Sequence, residues 1–519
     1  MTFDQINNAT QFILPEIALI ATVCVMFLAG PFLVSESGVA QSGLRHRWGF
    51  LSLFALAAAG VFWWKTPLAV DVTGPFRLDS LTWYVRGLSI LLGAIIVLTM
   101  WNQVEDSRSA ECHACLLTIL AGTNLTAASN DLVSLFLALE LVSIPTYILL
   151  YLPRRDDASR EATIKYFLLS AFSSAMVLYG LALLYGATGT TNLATIAAYL
   201  RSGWGPLVAL GSGLLIAGLA FRITAVPFHF YAPDVFQGSP AFMAGMLSFI
   251  PKVVGFVALI RFTTLGSSSA GFLESGLLAG LLKPLLTALA ALTMIVGNLM
   301  AFRQKNIHRL MAYSSVAHAG YMLVGLSVGA FGSLNGTSAL LFYLATYGIM
   351  TLGVFAILAA ISPPGRSLQN IEDLAGLSRH HSASAFMMAI LLFSLTGLPP
   401  TAGFLGKLNL FLAAWSDASP AGQYLAIILA VNAAISAYYY LRLIGAMYLQ
   451  PGVGPSASHP APAPVAAGII CCVLTIVLFA APKHVWNAAE GKRPGSLVPA
   501  VAAAATVEPT PTLATPAAE

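Results

Sequence analysis

Apolar runs close to bilayer length recur from one end of this chain to the other, broken by short polar stretches. A membrane-crossing helix needs about 20 such residues. Fourteen spans meet that pattern, near 12–33, 46–64, 80–101, 112–128, 132–152, 162–186, 205–226, 240–262, 282–300, 307–328, 336–360, 382–414, 421–448 and 464–482. The stretches are long and continuous, so they predict helices; the strands of a barrel would be about ten residues long and would alternate. The expected fold is an all-α polytopic membrane protein. Phe12–Leu33 contains Pro15 and Glu16 and lacks a basic leader, so it reads as a first membrane helix, not as a signal peptide.

Composition narrows this picture. The 519 residues are 58% hydrophobic and only 9% charged, against about 25% in soluble domains. A water-soluble multidomain enzyme and a largely disordered chain are both excluded. The net charge of +4 reports loop topology and does not point to nucleic acid. Exits from odd-numbered spans hold 11 basic residues, concentrated at Arg154–Arg160 and Arg303–Arg309; exits from even-numbered spans hold 5. The positive-inside rule then puts the odd exits in the cytoplasm and both termini outside. Cys112, Cys115, Cys471 and Cys472 have no second Cys/His cluster to complete a metal site, so apolar packing is their expected role. The segment 483–519, Ala/Pro/Thr-rich towards its end, is expected to be a disordered tail.

The seventh and twelfth spans each run into a break. Phe221-Arg222-Ile223-Thr224-Ala225-Val226-Pro227 parallels Phe393-Ser394-Leu395-Thr396-Gly397-Leu398-Pro399, with three identities and three conservative changes. The runs lie five spans apart. An odd offset inverts one copy in the membrane, and inverted repeats with broken helices are a transporter architecture. Proline removes a backbone donor and frees a carbonyl a turn earlier, so both breaks require polar neighbours or water at membrane depth.

Ionisable groups within spans are expensive and are functional candidates by default. Glu140 lies in mid-span, Lys252 near the centre of the eighth span, and Lys407 just after the second break. Lys165 either snorkels, pairs with Glu161 one turn away, or reaches Glu140 on the preceding helix. Arg222 precedes the first break; it can hold a carboxylate or order water but keeps its own proton. His229 and His318 are candidate relays because imidazole titrates near neutrality. Arg86 and Arg442 lie nearer span ends, where snorkelling is expected. Lysines and a glutamate in series suit a path in which moving one proton alters the next group.

The motifs that carry these residues resemble the antiporter-like membrane subunits of respiratory complex I, related to Mrp-type Na⁺/H⁺ antiporter subunits. They are Asp131–Phe136 leading to Glu140, Glu161–Phe167, Ala225–Val235, Arg309–Ser315, and Gly397–Phe404 with Lys407. Lys407 and the short tail favour the N-type branch over its sisters. The resemblance implies helices 1–3 over 1–111, repeats over 112–264 and 265–450, and a last helix over 451–482. It also implies a proton path in which Glu140 and Lys165 are close neighbours, Lys252 links to the centre, His318 relays, and Lys407 stands near the exit. Arg222 replaces the family's lysine. No dinucleotide, flavin or cluster motif occurs. Cofactors are therefore expected only in partner subunits, as NADH, FMN, iron–sulfur clusters and quinone. The expected setting is the inner membrane, beside neighbouring antiporter-like and quinone-module subunits. A stand-alone Mrp-type antiporter subunit, a membrane-bound hydrogenase subunit and a structural scaffold are the alternatives.

Overall fold

The computed structural model describes residues 12–492 apart from 35–40, 67–73, 155, 203–204, 264–276, 330–334, 363–367, 418 and 453–459. Each predicted span coincides with helix. Three helices come first: α1 (Leu14–Ala29), α2 (Leu44–Lys65) and α3 (Ser80–Met100). The helices of the expected first repeat are α4 (Ser109–Ala128), α5 (Leu132–Tyr151), α6 (Asp157–Thr188), α8 (Pro206–Arg222) and α10 (Ala241–Thr263). Short α7 (Leu193–Ser202) lies in a connection, and α9 (Ala232–Gly238) is the second half of the broken α8. Those of the expected second repeat are α11 (Leu277–Phe302), α12 (Ile307–Val328), α13 (Gly336–Ile361), the halves α15 (Ser382–Thr396) and α16 (Ala402–Trp415), preceded by the single turn α14 (Leu377–His380), and α17 (Pro420–Leu449). Then come α18 (Pro462–Ala480) and α19 (Lys483–Ala489).

Among the described residues, nine helices are long and apolar enough to cross a membrane, and α1, α8, α15 and α16 are shorter apolar helices. The ends are set by local chemistry. Asp79, Asp131, Asp156, Asn306 and Asn335 accept amide hydrogens in the first turns of α3, α5, α6, α12 and α13.

The two repeats share a device that shows their inversion. Asp131, ahead of α5, forms an isolated antiparallel bridge with Asn192 after α6; Asn306, ahead of α12, forms one with Asn370 after α13. Leu132 N donates to Thr191 O at 2.8 Å, and Ile307 N to Gln369 O at 2.7 Å. The second bridge lies on the face that carries Arg154 and Lys305, the basic face, and the first lies on the opposite face. Helices α10 and α13 are enclosed by other helices along their apolar windows, 94% and 100% buried respectively. That fits sequences apolar on every side.

Three expectations are corrected. Arg86 does not snorkel: it is 2% exposed, and its guanidinium meets Glu16 at 2.8 and 2.9 Å and Phe12 O at 2.8 Å. Burial is tolerated because the charge is paired and its donors are used. Arg261, counted with the span ends, is also buried and grips Asp79, Thr82 and Ala127 O. The tail begins with ordered α19, because Trp486 gives it an apolar face against Phe342, ring centroids 5.9 Å apart. Residues 493–519 lie outside the described residues. Arg442 does lie near its helix end, on Phe302 O and Gln304 O.

Candidate functional site

The first break sits where α8 ends at Arg222. The chain turns through Thr224 at φ 59°, a left-handed conformation costly for a β-branched residue. Ala225 N returns to Ala220 O at 2.9 Å, and Val226 N is satisfied by Thr293 Oγ1 of α11 at 3.0 Å. The second break turns through Gly397 at φ 90° after α15. There Ser394 Oγ accepts from Gly403 N at 3.1 Å. Freed backbone groups are thus met by hydroxyls, as a membrane interior demands.

Glu140 on α5 faces the first break. Its Oε1 accepts from Ser174 Oγ of α6 at 2.6 Å and from Arg222 Nη2 at 3.1 Å. Arg222 also donates to Ser143 Oγ at 2.8 Å and Leu139 O at 3.3 Å. Arg222 is 7% exposed and Glu140 23%. Arg222 sits in the last turn of α8, where the helix dipole favours a cation.

Lys165 lies elsewhere. Its ammonium is 40% exposed and held by Glu161 at 2.6 Å and Asp234 at 2.7 Å. It precedes Ser174, the α6 residue that holds Glu140, by nine positions, about 13 Å of helix. The two groups expected to be close neighbours therefore do not touch, and Arg222 takes the contact. Asp234, on α9, also binds Arg309 of α12 at 2.5 Å and so ties the first repeat to the second. His229 is half-buried beside Tyr313, rings 6.4 Å apart.

Lys252 is completely buried on α10. Its Nζ donates to Ser315 Oγ at 2.5 Å and to Thr224 Oγ1 at 3.3 Å, and lies 5.8 Å from the centre of the Tyr347 ring. The strained Thr224 thus presents its hydroxyl to the lysine. Ser314, the neighbour of Ser315 on α12, hydrogen-bonds Tyr440 of α17. Tyr440 OH also bonds His318 Nε2 at 3.0 Å, while His318 Nδ1 bonds Tyr343 OH at 2.6 Å. Lys407 on α16 donates to Leu395 O and Thr396 O, both at 2.9 Å, and lies 5.0 Å from the centre of the Tyr321 ring. Beside it a cleft of about 270 Å³ opens between α16 and α17 with apolar walls, including Leu398, Phe404, Phe411 and Leu429.

Two sets emerge at membrane depth. One is the Glu140–Arg222 pair with its serines. The other gathers Lys252 with Ser315 and, from the adjacent Ser314, Tyr440 and His318, with Lys407 beyond. Thr224 joins the break that follows Arg222 to Lys252. Sequence reasoning missed the hydroxyl members and Asp234. A weak signal existed for some: Ser143 follows Glu140 by one turn, and Ser314-Ser315 ends a quoted motif. Tyr343 and Tyr440 resemble any tyrosine in an apolar helix. Among the described residues no group of three or more His, Cys, Asp or Glu could hold a metal ion, and Cys112, Cys115, Cys471 and Cys472 are buried free thiols.

Comparison with known proteins identifies the family. Residues 129–436 match the family described as NADH:quinone oxidoreductase/Mrp antiporter, TM. The chain is 37% identical over 477 residues to an NADH-quinone oxidoreductase subunit N of Trichlorobacter lovleyi, covering 90% of this chain and 93% of that one. It is 35% identical to the subunit N of Rhodospirillum rubrum, covering 85% and 88%. Among solved structures, a chain of respiratory complex I from Thermus thermophilus with bound aureothin superposes with TM-score 0.75 at 33% identity, covering 91% and 98%. The Mrp complex from Dietzia, at 22% identity and TM-score 0.75 over 92% of this chain and 98% of that one, shares the fold. The chain belongs to the NADH:quinone oxidoreductase/Mrp antiporter family of membrane subunits, with the subunit N proteins of NADH-quinone oxidoreductase as its close kin.

Proposed function

We propose that this chain is a proton-translocating membrane subunit of an NADH-quinone oxidoreductase. It turns a signal from quinone reduction in partner subunits into proton transfer across the membrane. The observation that carries this is the buried series Lys252–Ser315–Ser314–Tyr440–His318, flanked by the Glu140–Arg222 pair and by Lys407. A scaffold would not need charge at this depth, where each ionisable group is costly.

In this reading Glu140 is the acidic member of the first repeat and Arg222 its fixed counter-charge, which stabilises the carboxylate without releasing a proton. Lys252, His318 and Lys407 exchange protons through hydroxyls and water. Lys165 and His229 act nearer the ends of the path, Lys165 by tuning Glu140 through its field, since it makes no contact. The functional units are the helices before 111, the repeats over 112–264 and 265–450, and the last helix. The basic face is cytoplasmic and both termini lie outside, in keeping with Arg154–Arg160 and Arg303–Arg309 at that face. NADH, FMN, iron–sulfur clusters and quinone belong to partner subunits, and neighbouring membrane subunits flank this one.

The test is proton pumping and NADH–quinone activity of the reconstituted complex carrying Lys252→Ala. Loss of both with intact assembly is expected. Unchanged pumping overturns the relay assignment.

A further inference from the structure

A third set of buried polar groups remains outside the path described. His308 is the second residue of α12, just beneath the basic face, and is 1% exposed. Neither of its ring nitrogens has a hydrogen-bond partner. Its ring packs on Phe355 of α13, centroids 5.8 Å apart, and Phe355 in turn faces Phe236 of α9 at 6.3 Å. An apolar ring would suit such a site better than an imidazole with two unmet nitrogens. Buried polar groups without protein partners are ordinarily met by water.

The seam above His308 has the same character. Thr351 and Tyr347 follow Phe355 up one face of α13 at steps of four. The Thr351 hydroxyl is buried without a partner. The Tyr347 hydroxyl lies among Ser248, Ser315 and Thr351 without a well-aligned bond to any of them. Along α12, His308 and Ser315 are seven positions apart, two turns on one face, about 10 Å. Ser315 is the hydroxyl that holds Lys252. A polar column therefore runs between α10, α12 and α13, from His308 up to Lys252.

The charges nearest its lower end are already paired. Arg154, between α5 and α6, bonds Asp156. Asp234 on α9 is shared by Lys165 and Arg309, and Gln237 also accepts from Arg309. The lengths of α10 and α13 beside the column offer no charged group before Lys252. His308 is the titratable group that faces into the seam.

We propose that His308 is a proton-relay residue, the inlet of a water-filled seam that recharges Lys252 from the basic face. One ring nitrogen forms an N–H bond with a proton taken from water at that face. The other nitrogen releases its proton into the seam, where water passes it to the Lys252 amine. The ring ends neutral, as the other tautomer, and a tautomer exchange resets it.

This rests on the proposed proton-pumping function, and the experiment separates the two. The complex is reconstituted with wild-type chain, His308→Gln or Thr351→Val, and proton pumping is measured across the neutral pH range with and without added imidazole. If the wild-type complex oxidises NADH but pumps no protons, the functional reading fails and this inference falls with it. If the wild type pumps, His308→Gln is expected to slow pumping about tenfold, most at alkaline pH where protons are scarce, with imidazole restoring much of the loss. Thr351→Val, nearly isosteric, is expected to slow it severalfold with the same pH trend. Wild-type rates and pH profile in both variants would sink the inlet. So would a uniform slowing that imidazole does not relieve, since a packing defect behaves that way.

Discussion

The two repeats each place cations beside a break and towards the end of the last helix, but answer them with different oxygens. In the first, Arg222 at the break meets the carboxylate of Glu140, and Arg261 near the end of α10 meets that of Asp79. In the second, Lys407 at the break meets the carbonyls of Leu395 and Thr396, and Arg442 towards the end of α17 meets those of Phe302 and Gln304. The residue aligned with Arg222 is Ser394, and Ser314-Ser315 stand near the level of Glu140 when the helix starts are matched. Lys283–Asp417, at the outer ends of α11 and α16, and Arg309 of α12, held by Asp234 of α9, are exceptions in the second repeat. A carboxylate can take up a proton, whereas a carbonyl can only solvate one. At the first break the group free to change state is therefore the acid, because arginine stays charged. At the second break it is the amine.

The sharpest way to break this contrast is Lys407→Met. It removes the buried amine beside the second break and should lower proton pumping by about a hundredfold, measured in proteoliposomes. Pumping at wild-type rate would move the function away from the second break. A smaller effect is expected from the first repeat. Glu140→Gln alone leaves Arg222 without its carboxylate and should slow turnover about tenfold. Adding Arg222→Met should recover part of the assembled complex, with a coupling energy of about 0.5–3 kcal/mol in a double-mutant cycle. Strict additivity would show that the pair is not a unit.

The smallest effect concerns the ends. Burial alone would raise the Asp79 carboxyl, but Arg261 and then Arg77 outweigh it and hold the group well below the usual carboxylate range. A depressed carboxyl contributes stability above its unfolded value of about 3.9, and that stability is lost as pH falls through the folded value. Asp79→Asn should therefore cost about 2 kcal/mol at every neutral pH, with the difference from wild type closing only in strong acid. Arg442→Met should cost less than half of that, since its partners are carbonyls near a helix end. Thermal denaturation of the purified complex against pH checks both, and equal costs would blur the contrast.

Much of this was legible in the chain. Hydropathy placed each predicted span on a helix, because lipid demands continuous apolar length; nine of the described helices are long and apolar enough to cross a membrane. The repeat showed through seven residues because both breaks need the same proline chemistry. Glu140, Lys252 and Lys407 stood out because charge is rare at depth. What stayed hidden depends on partners distant in sequence. Arg86 and Arg261 looked like end residues until Glu16 and Asp79 came up beside them. Lys165 looked close to Glu140 because adjacent helices were known but their heights were not. Asp234 showed no role within its motif, although it sits on α9 and binds Arg309 of α12. The serines and tyrosines around Lys252 and His318 are ordinary helix residues by type, and only packing brings them together.

The enclosed α13 has a consequence for how the protein is made. Helices enter the bilayer in chain order, so α13 arrives before α15 to α18 exist to cover it. Its first solvent is lipid and its last is protein. Lipid tails are about as apolar as leucine, so one uniformly apolar surface serves both. A charge placed on its outward face would therefore be felt first during insertion, before any final contact had formed.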